Sequence, residues 1–428
     1  MVIHIIRPGE TLWGISKAYN IPLEKIINSN QITNPSLMMP GQSIVIPDVP
    51  MSHIVKPGEN LWLIARQYNS SVNVISQANH LQNPSLIYPG QRLAIPVAAH
   101  RFGPLEVNGY IEPVGRGNEL DIIRQCAPYL TYLSIFSYRV NTSGTLTPSD
   151  DVELINLARE KNIAPLMVIT NFAEGTFSAD LAHAVLANDS IQDSLINHII
   201  QVLKNKNYHG INVDFEHIYP DDKDLYNHFL IKLETRLNDT GHVLTTALAP
   251  KTSAELTGPW YTAHDYPAHG STADFAVLMT YEWGWSGGPP MPVAPLNQVK
   301  RVVDYALSAI PANKIMMGMP LYGYDWTLPY AKGGPYAKTL SPKSAIELAQ
   351  QVRTVIHYDI ISQSPYFNYF DTSGKEHIVW FEDAGSILAK YELVHQLGLR
   401  GVSYWVLGRQ FPQNWMVLED LFEIKKII

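Results

Sequence analysis

The first hundred residues are written twice. His4-Ile5-Ile6-Arg7-Pro8-Gly9-Glu10-Thr11-Leu12-Trp13 returns 49 residues later as His53-Ile54-Val55-Lys56-Pro57-Gly58-Glu59-Asn60-Leu61-Trp62. The register holds without a gap. Asn34-Pro35-Ser36-Leu37 matches Asn83-Pro84-Ser85-Leu86, and Pro40-Gly41-Gln42 matches Pro89-Gly90-Gln91. Self-similarity at a fixed short period means an array of small units rather than one large core. Each unit reads strand, helix, helix, strand. A strand from Ile3 to Arg7 ends at Pro8-Gly9, and Thr11 is placed to cap a helix running to Tyr19. Pro22 suits the first turn of a second helix. Pro40-Gly41 turns the chain into a strand from Ser43 to Ile46. The expected domains are 1–48 and 52–97, with Asp48-Val49-Pro50 and Val97-Ala98-Ala99-His100 as linkers.

Both repeats resemble LysM domains, through the Pro-Gly-Glu-x-Leu-Trp opening and the Pro-Gly-Gln-x-Leu/Ile-x-Ile-Pro close. The resemblance implies binding to N-acetylglucosamine-containing glycans in a shallow groove between two loops. By position those loops hold Gly9, Glu10, Thr11, Asn34, Pro35, Ser36 and Leu37 in the first unit. In the second they hold Gly58, Glu59, Asn60, Asn83, Pro84, Ser85 and Leu86. Residue by residue, turn and cap chemistry accounts for the same pattern equally well.

Composition narrows the rest. Of 428 residues, 46% are hydrophobic and 16% charged, enough apolar material for a sizeable core. Net charge is −8 and no Lys/Arg run stands out, so nucleic acid is not an expected partner. No stretch is long and apolar enough to span a bilayer, so no membrane partner is expected. The N-terminus lacks the features of a signal peptide, and synthesis in the cytosol is the expectation. The single cysteine, Cys126, excludes an internal disulfide and a cysteine-built metal site. It reads as a small buried hydrophobe in a helix-like stretch.

From about 102 to 428, apolar strands alternate with amphipathic helices. Strands are expected at Glu106–Ile111, Tyr132–Tyr138, Ala164–Thr170, Gly210–Phe215, Val243–Ala249, Phe275–Thr280, Ile315–Pro320 and Val402–Val406. Helices fall between them, as at Ser190–Lys204, Leu225–Leu237 and Val299–Ala309. Eight such units predict an α/β fold, a (β/α)8 TIM barrel preceded by two small βααβ domains. The gap before the eighth strand is too long for one helix, and a small α+β insertion is expected at about 333–380.

One strand breaks the pattern of a buried barrel strand. In Tyr208-His209-Gly210-Ile211-Asn212-Val213-Asp214-Phe215-Glu216, alternation puts Asn212, Asp214 and Glu216 on one face. Ile211, Val213 and Phe215 share the other. The apolar set must meet the helices, so the polar ladder points into the barrel. Glu216 then stands at the C-terminal end, where barrel enzymes hold their sites. Buried polar groups are costly unless partnered, so this ladder signals function. A carboxyl with a second carboxylate two residues away on the same face keeps its proton to higher pH. The pair would titrate as a unit.

This segment resembles the active-site strand of glycoside hydrolase family 18, the chitinases and related endo-β-N-acetylglucosaminidases. The family pattern is Asp-x-x-Asp-x-Asp-x-Glu. Asp214 and Glu216 fit it, while His209 and Asn212 replace the two earlier acids. Met279-Thr280-Tyr281-Glu282 resembles the sixth-strand motif, with Glu for Asp, and Gly318-Met319-Pro320-Leu321-Tyr322-Gly323 resembles the seventh strand. Trp405 falls where the family has the tryptophan that floors the sugar subsite. The resemblance implies a substrate-assisted retaining mechanism with no cofactor and no metal. In it Glu216 is the acid and then the base, Asp214 holds the acetamido N–H, and Tyr281 bonds the acetamido oxygen. Asn212, Glu282, Trp283, Trp285, Tyr322 and Tyr110 are further candidate substrate-binding residues. Trp283 and Trp285 form a candidate glycan platform after the sixth strand. Asp325 and Trp326 read equally as sugar contacts or as structure.

Together, two LysM-like units and this barrel resemble the spore cortex-lytic enzymes. That implies mother-cell synthesis, deposition in the spore coat and cortex region, and action on cortex peptidoglycan fragments during germination. Only a sugar with a free N-acetyl group can assist its own cleavage. N-acetylglucosamine, not muramic δ-lactam, is therefore expected in the catalytic subsite. Chitin or chito-oligosaccharides as substrate, and a non-catalytic peptidoglycan-binding coat protein, are the alternatives. The oligomeric state cannot be read from the sequence.

Overall fold

The computed structural model describes every residue except 48, 50, 69, 96–100 and 116. Most of both linkers therefore lies outside the described residues. The chain divides into two compact units, Met1–Gly103 with Pro412–Glu423, and Pro104–Phe411 with Ile424–Ile428.

In the first unit each repeat forms a two-stranded antiparallel sheet with two helices. Val2–Ile5 pairs with Ser43–Ile46 around the helices Leu12–Tyr19 and Leu23–Asn30. Met51–Ile54 pairs with Arg92–Ile95 around Leu61–Gln67 and Val72–Ala78. Each core is a handful of aliphatic side chains. Leu12, Ile15, Ile26 and Ile44 are buried in the first, and Leu61, Ile64, Ile75 and Leu93 in the second. So small a core needs polar locks. Asn30 exchanges two hydrogen bonds with the backbone of Val45, 2.7 and 2.8 Å, and Asn79 does the same with Ala94. Helix Pro412–Leu421 clusters with this unit. Its Asp420 takes the N-terminal ammonium at 2.6 Å and Arg101 at 2.8 Å.

The second unit is a closed barrel of eight parallel strands. In chain order these are β1 (Gly103–Ile111), β2 (Tyr132–Val140), β3 (Ala164–Thr170), β4 (Gly210–Asp214), β5 (Val243–Leu248), β6 (Phe275–Leu278), β7 (Ile315–Pro320) and β8 (Gly401–Trp405). Each pairs with the next, and β8 returns to β1. All eight expected strands form. The named helices extend one or two residues beyond their expected ends in two cases, at Asp189–Lys206 and Lys223–Asn238, and the third runs from Leu296 to Leu307. Cys126 is buried at the end of helix Glu119–Cys126, which pushes its thiol up to about 12.

The α+β insertion is a five-stranded antiparallel sheet with helix Pro342–Val352. It begins at Gly323, earlier than the expected 333, because Gly323–Thr327 joins the sheet directly after β7. A side chain at Gly323 would put its Cβ 2.3 Å from the Trp380 carbonyl oxygen. Asp325 accepts from Tyr369 and from His377, both at 2.8 Å, and buried Trp326 donates to the Gly288 carbonyl. These two residues are internal to the scaffold.

Candidate active site

The parity of β4 is as its sequence requires. Ile211, Val213 and Phe215 are fully buried on the helix side, where Phe215 stacks on Tyr226 and Phe229 of helix Lys223–Asn238. Asn212 and Asp214 face the interior, and Glu216 follows just beyond the strand end. There a cavity of about 160 Å³ opens, lined by Asp214, Glu216, Tyr281, Glu282, Tyr110 and Trp405. Phe136, Phe177, Ala247, Trp260 and Met279 complete its wall.

Glu216 is held at both its main chain and its carboxyl. Its N–H donates to Asn171 Oδ1 at 2.9 Å, and its carbonyl accepts from Asn171 Nδ2 at 2.8 Å. Trp260 Nε1 donates to Oε2 at 2.6 Å. His264 ties the preceding residue down. It accepts from Ala249 N–H through Nδ1, so its Nε2–H donates to the Phe215 carbonyl at 2.9 Å. Burial holds this imidazole neutral, pushed down to about 4.

Burial pushes the Asp214 carboxyl up to about 7. Glu216 is raised well above the ordinary carboxylate range, first by burial and second by Asp214, while the Trp260 hydrogen bond opposes the shift. The sequence points to like-charge repulsion, but desolvation is the larger cause. Asp214 Oδ1 is buried with no hydrogen-bond partner among the described residues. A buried, unsatisfied acceptor aimed into a cavity is free for a donor on a ligand.

Tyr281 is buried against the cavity, and its hydroxyl is raised far above its ordinary range by burial, so it stays a donor. Its ring needs the missing side chain of Gly318. A Cβ there would lie 2.9 Å from Tyr281 Cε1 and 2.4 Å from the Leu278 carbonyl. Glu282, at φ 67°, turns its carboxylate to the hydroxyls of Tyr322 and Tyr324. Burial raises Glu282, and these two donors oppose the rise. Trp405 is packed edge-on by Phe136 and Tyr110, with centroids 5.0 and 5.5 Å away.

Not every expected residue lines the cavity. Asn212 lies beneath it, 1% exposed, accepting from Tyr110 Oη at 3.0 Å and donating to Thr245 at 2.9 Å. Tyr322 is outside the lining and donates its hydroxyl to Glu282. Trp283 and Trp285 are outside the lining, because the turn after Tyr281 carries them away. Trp285 is 45% exposed and rests on Gly287 and Gly288, where an added Cβ would meet its ring at 2.3–2.4 Å. Trp260, Asn171, Phe136 and Phe177 were not anticipated. The one signal for Trp260 is its place in the Gly258-Pro259 turn after β5, on the face where barrel loops carry function.

In the repeats, several loop residues are engaged internally. Glu10 accepts from Arg7 N–H at 2.8 Å and from His4 Nε2 at 2.9 Å. Glu59 does the same with Lys56 and His53. Thr11 and Asn60 cap the first helix of each unit. Gly9 and Gly58, at φ 83° and 85°, serve the turn. Asn34, Pro35, Ser36, Asn83, Pro84, Ser85 and Leu86 are exposed, and Leu37 is half-buried.

A cavity at the C-terminal mouth of a (β/α)8 barrel, with Asp214 on β4, Glu216 just beyond it and Tyr281 beyond β6, defines a class. The model of glycosyl hydrolases family 18 matches residues 107–410, and the LysM model matches 4–47 and 53–96. The chain belongs to glycosyl hydrolases family 18 and is a glycoside hydrolase with LysM domains. It is 49% identical to the cortical fragment-lytic enzyme of Bacillus subtilis, over 100% of this chain and 99% of that one. The crystal structure of the Bacillus megaterium spore cortex-lytic enzyme SleL superposes with a TM-score of 0.91 at 42% identity, covering 100% and 99%. A chitinase from Chromobacterium violaceum is more distant, with a TM-score of 0.68 at 27% identity, covering 74% and 98%.

Proposed function

We propose that this chain is a retaining β-N-acetylglucosaminidase that cuts the β-1,4 bond after N-acetylglucosamine in fragments of spore cortex peptidoglycan during germination. The observation that carries the reading is the pair in the cavity: a Glu216 carboxyl that keeps its proton, beside an Asp214 oxygen with no partner. Glu216 protonates the glycosidic oxygen, a poor leaving group until it is protonated. The substrate's own acetamido oxygen attacks the anomeric carbon, so no enzyme nucleophile is required. Asp214 accepts the acetamido N–H and offsets the positive charge of the cyclic intermediate. Tyr281 donates to the acetamido oxygen, and Trp405 lies beneath the ring. Glu216, now ionised, takes a proton from water as it attacks, and configuration is retained.

The domain limits 1–48, 52–97 and 102–428 and the site in the spore coat and cortex region belong to this reading. So does anchoring to peptidoglycan, through the exposed LysM loops with Ser36, Leu37, Ser85 and Leu86. Incubation of cortex fragments and of chito-oligosaccharides with the protein and with Glu216→Gln tests it. Cleavage of cortex fragments by the unaltered protein alone is the expected result. Cleavage only of chito-oligosaccharides makes the protein a chitinase. Binding without cleavage makes it a structural wall-binding protein.

A further inference from the structure

A second cavity, of about 390 Å³, adjoins the catalytic one. Phe136 of β2 lines both. Phe172, on the wall of the second, packs edge-on against Phe177, on the wall of the first, with centroids 5.3 Å apart. The second cavity contains Arg139, an exposed residue at the end of β2. Its guanidinium lies 5.9 Å from the centroid of the Phe172 ring. It forms no ion pair with any described residue, although Glu112 and Asp150 line the same cavity. Other cations of the barrel are used differently. Arg400 is bound to Glu106 at 2.6 Å and Lys206 to Asp151.

A cation stacked on an aromatic face keeps its planar fork free for a carboxylate. Chitin offers none, since its sugars carry only hydroxyl and acetamido groups. Peptidoglycan strands alternate N-acetylglucosamine with muramic residues. With N-acetylglucosamine in the catalytic cavity, the sugar on either side is therefore a muramic residue. Where it is not closed into the δ-lactam, its lactyl group carries a carboxylate or a stem peptide, and a stem peptide bears both carboxylate and ammonium groups. A cavity whose described residues offer one unpaired cation, Arg139, and two carboxylates complements such a substituent.

We infer that Arg139 recognises the carboxylate of a stem-peptide substituent on the muramic residue next to the scissile bond. The inference rests on the glucosaminidase reading and makes Arg139 a specificity residue for the same site. Two parallel N–H···O bonds to a carboxylate form the strong version of such a contact.

The test compares the protein with Arg139→Met and Arg139→Lys on three substrates. These are cortex fragments with stem peptides, the same fragments with their carboxylates amidated, and chito-oligosaccharides. Arg139→Met should lose about tenfold in kcat/KM on the free-carboxylate fragments, chiefly through KM. It should lose less than about twofold on the other two, and Arg139→Lys should recover part of the loss. Equal losses on all three substrates, or none on the free-carboxylate fragments, would overturn the inference. An unaltered protein that cuts no cortex fragment overturns the glucosaminidase reading itself, before any variant is compared.

Discussion

Trp260 Nε1 donates a 2.6 Å hydrogen bond to Glu216 Oε2 from a loop 44 residues away. This bond stabilises the ionised carboxylate and holds the acid below the range that burial alone would set. Trp260→Phe removes the donor and keeps most of the ring. The basic limb of the pH profile of kcat/KM should move up by about one unit, since a hydrogen bond to a charged group contributes about 1.5–3 kcal/mol and water replaces part of it. The rate at the optimum should fall, because the carboxyl loses its orientation. A profile measured on a soluble chromogenic N-acetylglucosaminide checks both.

Asp214→Asn should move the same limb the other way. Removing the nearby negative charge lets Glu216 lose its proton at lower pH. The maximal rate should fall about 100-fold, because no carboxylate remains to offset the charge of the cyclic intermediate. Opposite shifts in the two variants would separate the Trp260 and Asp214 contributions.

The same aspartate makes a prediction for stability. Its folded value, about 7, lies above the ordinary 3.8, so the folded state binds the proton more tightly. That contribution is complete below about 4 and is lost as pH rises through 7. The melting temperature of Asp214→Asn should therefore exceed that of the unaltered protein by about 2–4 °C at pH 8, and the gain should vanish near pH 4. Differential scanning calorimetry at the two pH values decides it.

In the repeats, Glu10→Ala and Leu86→Ala should fail differently. Glu10 clamps the Arg7 turn and the His4 ring, so its loss should lower the thermal transition of the first repeat and weaken peptidoglycan pull-down together. Leu86 is 55% exposed, so its loss should weaken pull-down and leave melting unchanged. If Glu10→Ala binds less with no change in melting, Glu10 contacts the glycan directly.

What could be read from the sequence was whatever depends on local periodicity. Alternation along Gly210–Phe215 assigned each side chain of β4 to its face, because one side of a barrel strand must meet apolar helices. The repeat register located both small units for the same reason: each must bury the same few aliphatic positions. What was missed depends on distant chain segments meeting. Trp260 and Asn171 reach Glu216 across 44 and 45 residues, and nothing in their neighbourhoods encodes that contact. Trp283 and Trp285 look like a platform in sequence, but the left-handed turn at Glu282 and the packing of Trp285 on Gly287 and Gly288 carry them off the cavity. Asn212 reads as a ligand contact because it shares a face with Glu216, yet Tyr110 and Thr245 already take its amide.

The central claim concerns one bond, and the new end created by its cleavage identifies it. Cortex fragments digested by the protein, beside Glu216→Gln, are reduced with borohydride and their termini identified by mass spectrometry. N-acetylglucosaminitol termini with the unaltered protein, and none with the variant, are the predicted result. Muramitol termini would contradict it, because they place a muramic residue where the assisting N-acetyl group of N-acetylglucosamine must sit.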